Sequence, residues 1–231
     1  MTVFQQIALL LTALWLAAVL VRFRRSTIAL AVGLFVIGVL TLMALLTGWI
    51  NLGKLGLGFD HPWWLTLGSA LVGLGVAVAY SPLADWIASR WFKQPPTLEA
   101  FGEIQQSRWK LIAGIAAAWV LGGFLEELVT RGIVLSSVEA GLAPWIDRAL
   151  AAGVALCVAA TGAGLMHLYQ GPRAAVIIAQ LSALFGLLFL VSGQDLWAVI
   201  LCHGLYDTIA FVRFANRTSK YSDPNRTKEK P

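Results

Sequence analysis

Six ionisable side chains lie inside apolar runs: Glu126, Glu127 and Arg131 in one run, His167 in the next, and His203 and Asp207 in the last. Near the centre of a bilayer each charge costs about 2.5–3.5 kcal/mol on the insertion scale, against about 5–15 kcal/mol of net stability for a whole fold. Such groups must be paired, hydrated, or both, and a carboxylate beside an imidazole is equipment for activating water. On a regular helix Glu127 and Arg131, four apart, share a face, while Glu126 points about 100° away. Glu127 is therefore expected to form a structural ion pair with Arg131, and Glu126 is left for a group on another helix. His203 and Asp207 are also four apart and can address one point. Gly162, Gly164, Gly171 and Gly204 allow neighbouring helices to approach closely, so a polar pocket walled by three helices is predicted.

The elements that would hold these groups follow from composition. The chain of 231 residues is 58% hydrophobic and 13% charged, against roughly 45–50% and about 25% in an average soluble domain. A helix needs about 20 apolar residues to cross the hydrocarbon, and seven stretches approach that length: 3–21, 28–50, 63–85, 111–138, 148–170, 174–192 and 196–213. An all-α, polytopic transmembrane bundle of about seven spans is predicted, with eight as the alternative count. The first stretch lacks the basic flank and cleavage site of a signal peptide and is expected to remain as a helix. With the N-terminus outside and the C-terminus cytoplasmic, 14 of the 17 Lys and Arg fall on the inner side, as the positive-inside rule requires. Trp49, Trp63, Trp64, Trp145 and Trp197 then gather at the outer boundary, and Trp86, Trp91 and Trp109 at the inner one.

This divides the chain into three N-terminal spans over 1–92, an interfacial or cytoplasmic linker over 93–110, a core over 111–214 and a disordered basic tail over 215–231. The linker reads equally as an amphipathic interfacial helix or a solvated connection. The net charge of +5 comes without a nucleic-acid recognition motif, so no nucleic-acid partner is expected. Cys157 and Cys202 lie within apolar runs and offer neither a disulfide framework nor a metal knuckle.

Glu126-Glu127-xxx-Arg131, then His167 in Gly164-Leu165-Met166-His167-Leu168-Tyr169-Gln170-Gly171, then His203-xxx-Asp207, resembles the three ordered motifs of the CPBP family of intramembrane proteases. That family groups type II CAAX prenyl endopeptidases with bacteriocin-processing and immunity-related proteins. The resemblance covers roughly 109–214. It implies that Glu126 and His167 activate a water while His203 and Asp207 support the oxyanion, Asp207 by orienting His203. It implies a membrane-associated protein or peptide as substrate, the lipid bilayer as surroundings and a bacterial cell membrane as location. Two departures stand out. Ala163 occupies the place, four residues before the histidine, where the family usually has Phe. The prenyl-protein branch tends to carry asparagine where this chain has Asp207, which weakens the expectation of a CAAX substrate.

Glu126, His167 and His203 could alternatively form a three-ligand zinc site with an open position; metal-independent water activation is the favoured reading. A non-catalytic immunity or regulatory relative, and a proton-coupled transporter, are the competing functional classes. Depth sets a further requirement. At about 1.5 Å per residue, Glu126 lies some 24 Å from Lys110, His203 about 15 Å from Arg213 and His167 about 9 Å from Arg173. Tilt, a break near Gly122-Gly123 or an interfacial start near Trp109 must bring them level.

Overall fold

The computed structural model describes residues 51–219 continuously, together with isolated positions before Asn51. The expected spans at 3–21 and 28–50, and the tail from Lys220 onward, lie outside the continuously described residues. Among the described residues there are no strands, and five helices are long and apolar enough to cross a membrane: α1 Trp63–Trp91, α2 Arg108–Leu142, α3 Arg148–Met166, α4 Pro172–Val191 and α5 Leu196–Ser219. Leu71, Val72, Val76, Leu83, Val120, Leu121 and Val191 stand exposed on these helices, the arrangement expected where lipid replaces water as the outer solvent.

Alanines let α1 approach its neighbours. Ala70, Ala77 and Ala84 recur every seven residues and are fully buried, forming a flat stripe against α4 and α5. Polar contacts reinforce the seam. Arg173 donates from Nε and Nη2 to the two oxygens of Asp85 at 2.8 and 2.7 Å, Tyr80 donates to Gln180 at 2.9 Å, and Thr66 donates to Asp195 at 2.5 Å. Asp195 also caps α5 by accepting from the backbone of Trp197 and Ala198.

The connection after α1 is docked on the bundle. Thr97 N–H donates to Gln170 O at 2.8 Å, and Glu99–Gln105 forms a 3-10 helix. That turn docks by burying Ile104, by Phe101 packing on Phe211 and by Gln105 donating to Phe214 O. The segment therefore straps the end of α5 to the turn that follows α3. With Phe211 and Phe214 held in this way, α5 continues to Ser219, past the expected core boundary at 214.

Ser107 caps α2, its Oγ accepting from Lys110 N at 3.2 Å. The helix is 35 residues long, about 50 Å at 1.5 Å per residue, and far exceeds one crossing. It does not break at Gly122-Gly123. Instead it widens into π-helix over Trp119–Glu126 and Leu128–Leu135, a distortion that side chains support: Ser136 Oγ donates to Arg131 O, five residues back, at 3.0 Å. The first half of α2 packs on α5 and the 3-10 turn, and the second half packs on α3. The helix thus passes from one neighbour to the other, and the two glutamates lie at the crossing.

Candidate active site

Helix α3 ends earlier than its apolar run. Met166 is its last residue; His167 (φ −96°, ψ 9°) leads a 3-10 turn Leu168–Gln170, and Gly171 at φ 97° turns the chain into Pro172 at the start of α4. The close α3–α4 packing depends on Gly164, where a Cβ would stand 2.6 Å from Ala175 O and 2.8 Å from Ala179 Cβ. His167 Nδ1 folds back onto Ala163 O at 2.8 Å. A carbonyl only accepts, so Nδ1 carries the proton and Nε2 presents a lone pair. Nε2 lies 4.0 Å from Glu126 Oε2, too far for a direct hydrogen bond. A water about 2.8 Å from both atoms fits between them.

Glu127 points into a sealed neighbourhood. Arg131 Nη1 is 2.8 Å from its Oε2 and donates to its Oε1 at 3.0 Å. The guanidinium also donates to Thr130 Oγ1 at 2.6 Å and to the carbonyl and hydroxyl of Ser182 on α4 at 2.6 and 2.7 Å. Glu127 has a second partner that spacing along one helix does not reveal: His203 Nδ1 lies 2.5 Å from the same Oε1. The imidazole packs against Phe185, with centroids 4.9 Å apart, and the Arg131 guanidinium lies 5.8 Å from that ring on centroid. His203 is therefore oriented at Nδ1 by Glu127 rather than by Asp207, whose Oδ2 stands 3.5 Å from Nε2.

Accessibility sorts the six residues. Glu126, His203, His167 and Asp207 keep 12, 12, 19 and 25% of their side-chain surface open, while Glu127 and Arg131 keep 0 and 1%. Asp207 lies within electrostatic range of the other three open residues. The wide turn of the π-helix explains how adjacent glutamates serve one cluster: Glu126 faces His167 on the α3 side and Glu127 faces His203 on α5. Two glycines make the crossing fit. A Cβ on Gly122 would stand 2.9 Å from Asp207 Oδ2 and 3.6 Å from His203 Nε2, and a Cβ on Gly204 would meet the Trp119 ring at 2.5 Å. Trp119 Nε1 in turn donates to Thr208 on α5 at 3.0 Å. Gly122 precedes Glu126 by four residues, the one sign in the sequence that the same face had to stay open. Thr130, Ser182 and Phe185 gave no such sign.

Cys202 is buried, with its Sγ against Gly73 of α1. Among the described residues no three His, Cys, Asp or Glu side chains converge as a metal site. The set Glu126, His167 and His203 that zinc would require is not such a group.

Residues 108–209 match the family model described as Type II CAAX prenyl endopeptidase Rce1-like. The resemblance to the CPBP family is borne out over that segment, which contains all six residues of the cluster. Comparison with curated proteins and with solved structures gives no significant match. With five apolar helices of membrane-spanning length among the described residues, the chain is an integral membrane protein, and its segment 108–209 is similar to that family.

Proposed function

We propose that this protein is an intramembrane endopeptidase that hydrolyses a peptide bond of a membrane-associated protein or peptide. The observation that carries the reading is the accessible pair Glu126 and His167, separated by the span of one water and facing His203 and Asp207. Glu126 accepts the proton of that water as its oxygen attacks the scissile carbonyl, and His167 Nε2 holds the water's second hydrogen. The carbonyl oxygen becomes an oxyanion on the side of His203. Glu127 only accepts hydrogen bonds, so Nδ1 of His203 holds a proton, and Nε2 donates to the oxyanion when the ring carries both protons. Glu126 then returns its proton to the leaving amine. Asp207 lies beside Nε2 and steadies the doubly protonated ring.

Seven spans, an external N-terminus, a cytoplasmic C-terminus and residence in a bacterial cell membrane complete the proposal. The distribution of basic residues and the family core support it. The activity is tested by incubating the purified protein with peptide and prenylated-peptide libraries beside a Glu126→Gln control. Specific cleavage lost in the control is the expected result, and cleavage equal in both proteins overturns the reading.

A further inference from the structure

Helix α1 lies outside the segment that matches the family, yet it holds α5 at three levels. Thr66 bonds Asp195 at the start of α5, Gly73 makes room for Cys202, and Ser81 bonds Tyr206 at 2.6 Å. The third contact is level with the cluster. Ser81 precedes Pro82, which has no N–H to give the helix, and its hydroxyl donates back to Ala77 O at 2.8 Å. With that single proton engaged, Ser81 Oγ accepts and the Tyr206 hydroxyl donates. The Tyr206 ring meets Phe185 edge-on, with centroids 6.1 Å apart, and Phe185 carries the His203 imidazole on its face. On α5, Tyr206 follows His203 by three residues and precedes Asp207 by one, about 60° and 100° around the axis.

We infer that Tyr206, anchored through its hydroxyl to Ser81, is a positioning residue that sets the rotation of α5 and with it the placement of His203 and Asp207. The inference rests on the hydrolase reading only for its kinetic consequence. A helix packed by small residues and rings alone can rotate by a few degrees at little cost; one directional hydrogen bond between helices removes that freedom. Because Phe185 is shared, rotation of Tyr206 away from α1 also withdraws the surface on which the imidazole rests. The bond between the helices needs both hydroxyls, so it is lost completely when either is removed and the two substitutions should not add in their effect on His203, although Ser81→Ala also frees Ala77 O.

The test compares Tyr206→Phe, Ser81→Ala and the double variant in the full chain, reconstituted in lipid nanodiscs with nitrogen-labelled histidine. His203 ring signals are assigned by their loss in His203→Gln. All three variants are expected to shift those signals alike, and to lower kcat on a cleaved peptide roughly five- to tenfold with KM nearly unchanged, the scale of one net hydrogen bond. Unmoved His203 signals overturn the inference, as do effects of the two substitutions that add, or a fall in kcat matched by the fraction of unfolded protein. Concerted shifts in the three variants, together with a wild-type chain that cleaves no peptide, would leave the positioning intact and sink the hydrolase reading.

Discussion

Glu127→Gln separates the two duties of a buried carboxylate. Its Oε1 receives both His203 Nδ1 and Arg131 Nη1, and its Oε2 faces Arg131. An amide has one oxygen and two N–H donors, so in the variant either the guanidinium or the imidazole meets an N–H. If the oxygen stays with Arg131, the amide donates to His203 Nδ1 and forces the opposite tautomer. Breaking a buried pair costs about 3–5 kcal/mol, and the lower end applies because Thr130 and Ser182 still satisfy Arg131. A loss of about 3 kcal/mol is a large share of the about 5–15 kcal/mol that holds a fold. Turnover per folded molecule should fall as well, by about 10²–10³-fold, the usual cost of losing an oxyanion donor. The assay is thermal unfolding in detergent, paired with active-site-normalised cleavage. Adding Arg131→Gln should restore much of the stability and none of the turnover. Wild-type turnover per folded Glu127→Gln molecule would refute the role assigned to the Glu127–His203 bond.

His203→Ala should bind peptide substrate with little change and turn it over about 10²–10³-fold more slowly, measured as kcat against binding affinity. Gly122→Ala places a methyl 2.9 Å from Asp207 Oδ2; displacement of the site should cost about 10²-fold in kcat/KM without lowering the melting temperature, since alanine favours a helix over glycine. Exhaustive chelation should leave turnover unchanged, and activity restored by added zinc would reverse that reading.

How far the sequence could be read depended on the range of each interaction. Apolar runs located α1, α3, α4 and α5 to within a few residues, because membrane-length hydrophobicity is a property of each segment alone. The Glu127–Arg131 spacing was local and therefore legible. The Glu127–His203 bond joins residues 76 apart, and only the packing of α2 on α5 brings them together. The wheel of 100° per residue separated the two glutamates, as the structure has them, but the π-helical stretch that carries them was not legible, because no residue type announces it. The Ser81–Tyr206 bond was hidden for the same reason as Glu127–His203: both partners looked like ordinary residues of separate apolar helices. Ala163 was noted as a departure from the family pattern, and its carbonyl is what fixes the His167 tautomer, a backbone contact that side-chain identity does not encode.

The most direct test of the account is the hydrolysis rate of Glu126→Gln, measured beside Glu127→Gln on one cleaved peptide and normalised to folded protein. The amide keeps the volume of Glu126 but cannot take the water's proton, so the account predicts a folded, thermally stable protein whose rate falls by about 10²–10⁴-fold. A Glu126→Gln protein that retains wild-type rate, next to a well-folded and inactive Glu127→Gln, would contradict it and exchange the roles of the two glutamates.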